Sequence, residues 1–267
     1  YVFLAGNIEN NGNSVEVFFD SQTGGQNVLS TTNPNVDGNG LNAIGGLRFD
    51  AGFSPDFYLS LKGNQNGGVV DGFFASLGTA GAFGIDPAAP STGRMVPLTL
   101  GAGRMGLLGV DQSNTGGVSG DAVYVGAPAG VVTGFEFAIP LAALGSPTGT
   151  VGISAFVNGG GHGYLSNQVL GGLPTGTGNL AAPNGVNFAS QAGNQYFNAP
   201  IPAAATLVSF APASGPVGTV VTITGTNFTG ATSLSLGGTA ITGFTGGRPK
   251  VQPVVRLFSC LVPKSQL

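Results

Sequence analysis

The side chains that could perform acid–base chemistry are few and widely spaced. The 267-residue chain has one histidine, one cysteine, eleven acidic and eight basic residues. A Ser-His-Asp triad could use only His162, and no Gly-x-Ser-x-Gly segment presents a nucleophile. One histidine without neighbouring cysteines cannot complete a tetrahedral zinc site either. We therefore predict a surface or loop-packing role for His162, no role for Cys260, and no enzymatic activity.

Two glutamates lie in the middle of apolar runs, where both should point away from the apolar face of a strand. Glu16 and Glu136 could then share one sheet face, and paired carboxylates across a cleft are the apparatus of glycoside hydrolysis. Nothing around either residue indicates a cleft. We expect each carboxylate to be solvated or paired with Arg48 or Lys62.

Residues 111–121 are the best candidate for a metal site. A glycine stands at the sixth position, as in a calcium loop, but the twelfth position is Ala122 instead of a bidentate glutamate. The same residue types also favour an ordinary turn, so calcium site and turn both stay open. Residues 37–40, Asp-Gly-Asn-Gly, leave the same two alternatives. Calcium is the one cofactor suggested, through the oxygen atoms of Asp111, Ser113, Thr115 and Asp121.

Two short segments place a tyrosine beside side-chain amides. An aromatic ring can stack on the apolar face of a sugar while amides bond its hydroxyls, which is the chemistry that binds a polysaccharide. Packing in a core or an interface is the alternative for each residue. The candidates are Tyr164, Asn167 and Gln168 in one segment and Asn194, Gln195 and Tyr196 in the other.

Short strands must position these residues, because 49 glycines and 17 prolines disfavour helices. Short apolar runs separated by Asn-Gly and similar turns are typical of strands in an antiparallel sheet. We predict an all-β fold, an antiparallel β-sandwich of the jelly-roll kind, with one helical turn at residues 140–144. The predicted strands are 15–19, 47–53, 57–61, 69–77, 95–100, 122–125, 131–139 and 151–157.

Composition divides the chain. All acidic residues lie between Glu9 and Glu136, and residues 137–247 carry no Asp, Glu, Lys or Arg. We predict a sandwich domain at 1–198, a Pro/Ala linker at 199–205, a partial domain at 206–247 and an atypical basic tail at 248–267. The abrupt change at the tail indicates a frameshift, vector sequence or truncated assembly, with a sorting or anchoring segment as the alternative.

The first domain resembles a known class of sandwich. Residues 134–145, Gly-Phe-Glu-Phe-Ala-Ile-Pro-Leu-Ala-Ala-Leu-Gly, with strands 15–20 and 151–157, resemble family-nine-like carbohydrate-binding and DOMON-like β-sandwiches. Residues 1–198 are also similar to a group of secreted bacterial surface proteins. This resemblance implies an extracellular sandwich. Family-nine-like sugar binders commonly hold the sugar between Trp rings, and this chain has no Trp.

Residues 206–246 resemble the opening strands of an IPT/TIG immunoglobulin-like domain. Ser214-Gly215-Pro216 indicates a turn, and residues 217–224, Val-Gly-Thr-Val-Val-Thr-Ile-Thr, alternate as a strand does. The resemblance ends at residue 246, so we expect part of the immunoglobulin-like sandwich to be missing.

Composition also limits partners and location. Only four basic residues precede position 248, which argues against nucleic acid, and no apolar run is long enough to span a membrane. The chain begins without Met inside an apolar run, so we expect the true start and any secretion signal upstream.

Two function classes remain. One is a non-catalytic extracellular or cell-surface structural or adhesion protein. The alternative is a carbohydrate-binding module of a larger secreted enzyme or adhesin. The partners would be polysaccharides or cell-surface proteins, with self-association through open strand edges. An exposed aromatic patch on the first domain would favour the second class.

Overall fold

A computed structural model describes residues 1–8, 11–64, 69–78, 82–85, 89–90, 95–101, 103–113, 131–216, 218–228, 234–236, 239–240 and 254–256. The chain divides into two units, Tyr1–Ile201 and Pro202–Leu267. Every strand pairing between the named strands is antiparallel, so the predicted all-β class is confirmed. No helix in the described residues is long and apolar enough to cross a membrane.

The described part of the first unit contains two sheets. Their strands are β1 Val2–Ala5, β2 Ser14–Asp20, β3 Phe57–Asn64, β4 Val69–Ser76, β5 Ala82–Ile85, β6 Ala89–Pro90, β7 Val96–Thr99, β8 Met105–Val110, β9 Gly134–Ala138, β10 Gly149–Asn158, β11 Leu165–Val169 and β12 Phe197–Ile201. The smaller sheet has the strand order β1-β9-β8-β7, and the larger has the order β11-β10-β2-β3-β4-β5, with β12 beside β10 and β6 beside β4.

In the described residues, helical structure is limited to single turns. The α-helix α1 spans Gly40–Ala43, and 3-10 turns lie at Asp37–Asn39, Leu141–Leu144, Pro183–Gly185 and Phe188–Ser190. The turn at Leu141–Leu144 lies where the sequence predicts one, and it ends at Gly145 in the left-handed conformation.

The two sheets pack face to face through alternate residues of their strands. Val17 and Leu59 of the larger sheet are completely buried, as is Phe137 of the smaller one. The rings of Phe19 and Phe137 meet across the interface, with centroids 6.1 Å apart. This layer is the core of a β-sandwich.

The other face of the larger sheet is covered by connections. Phe18 of β2 packs on Phe49 from the connection between β2 and β3, and Phe156 of β10 packs on Phe188. These residues belong to a second hydrophobic core. Strands β2, β3 and β10 are therefore buried on both faces, and any polar side chain on the covered face must find its partners inside the protein.

The covering layer includes a predicted strand that does not form. Residues 47–53 are a loop in which only Arg48 forms β-bridges, one with Val28 and one with Asn187, although Leu47, Phe49 and Phe53 are buried. Their alternation reflects packing on the second core and not pairing in a sheet. The predicted strand at 122–125 lies outside the described residues.

The described part of the second unit has five short strands: β13 Thr206–Ala211, β14 Thr222–Thr226, β15 Ser235–Leu236, β16 Thr239–Ala240 and β17 Val254–Arg256. One sheet has the order β13-β14-β17, and β15 pairs with β16. Strand β17 belongs to the segment for which the sequence predicts an atypical tail, and it pairs with β14. The origin of that tail stays a prediction.

Candidate functional site

Four charged side chains meet on the covered face of the larger sheet. Glu16 lies in the middle of β2 and Lys62 near the end of β3. Asp37 begins the 3-10 turn before α1, and His162 lies in the glycine-rich loop after β10. Glu16, Asp37 and His162 are buried, and the Lys62 side chain is a quarter exposed. Two strands and two connections therefore contribute to one cluster.

The four side chains alternate carboxylate and cation, and Nζ of Lys62 also lies 3.3 Å from Nε2 of His162. Nδ1 of His162 lies 2.6 Å from Oε1 of Glu16, and its Nε2 lies 2.9 Å from Oδ2 of Asp37. The other oxygen of Asp37, Oδ1, accepts a hydrogen bond of 2.8 Å from Nζ of Lys62. Both nitrogens of the imidazole thus face carboxylates.

Hydroxyl groups of β3 complete the cluster. The Tyr58 hydroxyl donates to Oε2 of Glu16 at 2.5 Å, and the Ser60 hydroxyl donates to Oδ2 of Asp37 at 2.9 Å. Every carboxylate oxygen of Glu16 and Asp37 therefore has a partner. That is the condition under which charges can be buried without a large penalty.

The electrostatics favour a charged imidazole. Burial works against the charge, but the hydrogen bonds that His162 donates to Asp37 and Glu16 outweigh it and raise the pKa of His162 to about 9. Burial is likewise outweighed at Asp37, whose pKa is lowered by its bonds to His162 and Lys62. Burial and the neighbouring Glu16 raise the pKa of the Tyr58 hydroxyl well above its ordinary value. The hydroxyl therefore remains a donor.

The loop that carries His162 is held in place by one buried amide. The Asn158 amide donates to the carbonyl oxygen of His162 at 2.9 Å, and its oxygen accepts from the N–H groups of Gly159 and Tyr164. His162 has a φ of 57°, in the left-handed region. On the other side of the ring, a Cβ atom at Gly40 would overlap the imidazole.

The hydrogen bonds of His162 fit a structural role better than a catalytic one. Because both nitrogens of His162 are occupied by carboxylates, neither is free to take a proton from a substrate. Glu16 is buried and bonds to His162 instead of being solvated or paired with Arg48 or Lys62. Instead of the predicted surface or loop-packing role, His162 forms buried ion pairs with Glu16 on β2 and with Asp37 in the connection between β2 and β3.

The paired-carboxylate arrangement does not form. Glu16 lies on the covered face of the larger sheet, whereas Glu136 is exposed on β9 of the smaller sheet. The neighbours of both residues, Val17 and Phe137, belong to the core between the sheets. Since alternate residues of a strand point to opposite faces, the sandwich separates the two carboxylates.

The six residues suggested for sugar binding do not form one surface. Asn167 and Gln195 are buried. The amide of Asn167 donates to the carbonyl oxygen of Thr177, and that of Gln195 donates to two backbone carbonyls. Gln168 and Tyr196 are half-buried, and Tyr196 packs on Phe53 at 5.1 Å.

Tyr164 and Asn194 keep exposed side chains. Tyr164 lies at the Asn158 end of β10, and Tyr196 lies beside Gln195, whose carbonyl oxygen accepts from Ser154. Four to five residues of strand separate these places, roughly 15 Å. The two tyrosines therefore cannot stack on one sugar ring.

Part of the calcium candidate can be described. Oδ1 of Asp111 accepts a hydrogen bond of 2.9 Å from the N–H of Ser113, as in an Asx turn, and hydrogen bonds from Ser113 lower the pKa of Asp111. Thr115 and Asp121 lie outside the described residues. Among the residues that are described, no three His, Cys, Asp or Glu side chains are placed to hold a metal ion. Calcium binding stays a prediction.

Residues 37–40, the second calcium candidate, have a different role from calcium binding. Asp37, which begins the Asp-Gly-Asn-Gly segment, is buried and bonds to His162, Ser60 and Lys62. Its carboxylate is committed to the cluster and is not part of an open calcium loop.

A shallow groove of about 620 Å³ lies at the Asp20 end of β2. Its walls carry carboxyl, hydroxyl and amide groups from Asp20, Ser21, Thr150 and Asn198. Burial raises the pKa of Asp20. None of the residues lining the groove is aromatic, so it lacks the flat apolar surface on which a sugar ring stacks.

Comparison with known families identifies the second unit. An IPT/TIG domain matches residues 205–252. The immunoglobulin-like resemblance predicted from residues 206–246 is confirmed, and the match extends six residues further. IPT/TIG domains are immunoglobulin-like modules that often take part in adhesion or protein interaction. No curated protein and no solved structure matches the chain. The family-nine-like and DOMON-like resemblance of the first unit stays a prediction.

Proposed function

We propose that the chain is a non-catalytic extracellular or cell-surface protein with a structural or adhesive role. The IPT/TIG domain at residues 205–252 carries this proposal, because such domains are modules of adhesion and protein interaction. The first unit supports it, since the buried His162 is fully engaged with Glu16 and Asp37 and serves to hold the fold together. The expected partners are cell-surface proteins.

The second unit offers a surface for such contacts. All six residues of β13 are exposed, among them Leu207, Val208 and Phe210 at 58%, 70% and 49%. Within its sheet β13 pairs only with β14, so its other edge has no strand beside it in the described residues. An apolar strand with an open edge favours pairing with another chain, including a second copy.

The test is binding of the labelled chain to intact cells of its source. We expect saturable binding that Val208→Asp weakens, because a charge on β13 opposes burial of the strand. Tyr164→Ser is the matched control, since Tyr164 is 53% exposed on the first unit. Absence of the native protein from the cell surface and the medium would contradict the proposal, as would equal losses in both variants.

A carbohydrate-binding module of a larger secreted protein is the second candidate. One observation favours it: the solvent-facing side of the smaller sheet carries an aromatic ring and long apolar side chains. Phe3, Met105 and Leu107 are exposed by 54%, 50% and 37%.

A further inference from the structure

An amine, a carboxyl group and an imidazole meet in the buried cluster of the first unit. Nζ of Lys62 lies 2.8 Å from Oδ1 of Asp37, and Nε2 of His162 lies 2.9 Å from Oδ2 of the same carboxylate. Nζ also lies 3.3 Å from Nε2. Each of the three groups therefore contacts the other two. A nucleophile, an electrophile and a group that moves protons between them have this arrangement in covalent chemistry.

Two further side chains hold these groups in place. Nδ1 of His162 bonds to Oε1 of Glu16 at 2.6 Å, so a carboxylate orients the imidazole, as in nucleophilic sites. The Ser60 hydroxyl donates to Oδ2 of Asp37 at 2.9 Å, beside the ring. Because hydrogen bonds stabilise the charge that develops on a departing oxygen, Oδ2 is the better leaving atom of this carboxyl group.

The contact between the two cations favours movement of a proton. When Lys62 and His162 are both charged, both are donors, and two like charges 3.3 Å apart repel each other. The contact becomes a hydrogen bond once one of them gives up a proton. A neutral amine is the form of lysine that attacks a carboxyl group.

The fold holds the two reacting groups together and away from bulk water. The side chain of Asp37 is 3% exposed, whereas that of Lys62 is 25% exposed. Burial protects the carboxyl carbon from hydrolysis, and the exposed part of Lys62 gives a released water molecule a short path to solvent. Reactants that a fold positions in contact behave as if they were at very high concentration.

We propose that Lys62 and Asp37 condense to an intramolecular amide bond between Nζ and Cγ. The Nζ–Cγ bond forms and the Cγ–Oδ2 bond breaks. Of the three protons of the ammonium group, one stays on the amide nitrogen and two leave with Oδ2 as water. His162 passes these protons on and ends in the protonation state in which it began, so no other reactant is consumed. This covalent link goes beyond the proposed adhesive role and does not depend on it.

The bond forms slowly. Burial is outweighed at Asp37 by its bonds to His162 and Lys62, which lower its pKa, so the neutral carboxyl group that an amine attacks is rare. A fresh preparation therefore has the ion pairs described for the cluster, and the linked form accumulates with age. The link closes a loop from residue 37 to residue 62, so it should raise the melting temperature as a disulfide does.

The experiment follows the intact mass of the full chain during days of incubation near neutral pH. We expect first-order growth of a species lighter by one water molecule. Trypsin cannot cleave after an acylated Lys62, so digestion of this species should give peptide 1–48 joined to peptide 49–94. Lys62→Arg keeps the charge but should abolish the linked species, because a guanidinium is not a nucleophile. His162→Asn should slow its formation on the order of a hundredfold.

Asp71→Ser is the matched control, because Asp71 lies opposite Lys62 in the register of β3 and β4. This variant should form the link as the unaltered chain does. Asp37 and Asp71 each precede a glycine, and a succinimide at either would lose the same mass, but it would persist in Lys62→Arg and leave peptide 1–48 unjoined. The peptide map of the unaltered chain gives the answer whether or not the variants fold. A succinimide, a link to Asp71 or an unchanged mass after several weeks would overturn the inference.

Discussion

A charged imidazole held between two carboxylates dominates the chemistry of the first unit at the scale of single residues. His162 bonds to Glu16 and Asp37, and Lys62 balances the remaining charge. Removing one member of such a cluster leaves an uncompensated buried charge, at a cost of about 3–5 kcal/mol. The connections that carry Asp37 and His162 are therefore stabilised when they pack on the sheet that carries Glu16.

The cluster predicts that stability falls with rising pH in the neutral range. The pKa of His162 is raised to about 9, above the value of about 6.5 for an unfolded histidine. The stabilisation is complete below about pH 6.5 and is lost as the pH rises through 9. At about 1.4 kcal/mol for each unit of pKa, the free energy of unfolding should fall by about 3 kcal/mol.

Urea unfolding between pH 6 and 10 measures this fall. The control is His162→Asn, which tolerates the left-handed backbone and does not titrate, so its unfolding free energy should not fall with pH over this range. On the acid side the lowered pKa of Asp37 gives stability that is lost as the pH drops through that pKa. The raised pKa of Asp50, caused by burial, acts in the opposite sense. A flat curve from pH 6.5 to 9 would contradict the ion pairs described for His162.

Gly40 provides a second prediction at this scale. A methyl group there would overlap the ring of His162, so Gly40→Ala should displace the imidazole and destabilise the protein by about 1–3 kcal/mol. Gly185→Ala is the matched control, since a Cβ atom at Gly185 meets no atom within 4 Å and should change stability little. Chemical denaturation measures the unfolding free energy of both variants. Equal stability of the two variants would show that the ring is not packed against Gly40.

At the scale of elements, the glycine-rich loop after β10 gains its order from Asn158. Three hydrogen bonds link the Asn158 amide to the loop. Asn158→Ala should therefore cost about 2–3 kcal/mol and speed amide hydrogen exchange at Gly159 and Tyr164. Exchange measured by NMR should leave the amides of β3 as protected as before. Unchanged exchange at the loop would mean that other contacts hold it.

The elements also show what could be predicted from the sequence. Alternation along β2 predicts that Glu16 points to the face opposite that of Val15 and Val17, and the structure agrees. The sequence does not show that this face is covered, because part of the covering connection alternates as a strand does. Residues 47–53 therefore predict a strand, whereas the structure has a buried loop there. The partners of Glu16 come from turns far away in sequence, so no local spacing reveals them.

At the scale of the whole molecule, the chain combines two β units with different exposure of their strands. The first unit buries β2 and β10 almost completely, whereas β13 of the second unit is exposed throughout. The immunoglobulin-like resemblance of residues 206–246 could be recognised from sequence because turn and strand residues follow one another locally. The short alternating runs of the first unit predict its all-β class. Its second core depends on contacts between residues that are distant in sequence, so the sequence does not predict that core.

The division into units predicts the pattern of limited proteolysis. The sequence predicts a Pro/Ala linker at 199–205, but residues 199–201 form the end of β12 and pair with β10, so residues 202–205 are the part outside the sandwich strands. Cleavage should occur at 202–205 or beyond residue 246 and leave residues 1–201 intact, because their backbone is bonded within the sandwich. Mass spectrometry of the fragments identifies the sites. A protease-resistant C-terminal fragment of about 60 residues would contradict the expectation that this unit is the less stable one.

The proposed non-catalytic role depends most directly on His162 being a charged structural residue of the first unit. The chain contains one histidine, so the NMR titration of its ring protons reports His162 without assignment. We predict a titration midpoint of about 9, set by the carboxylates of Asp37 and Glu16 against the effect of burial. A midpoint near 6.5 would instead describe a free imidazole, and it would contradict the closed cluster on which the assignment of a non-catalytic role depends.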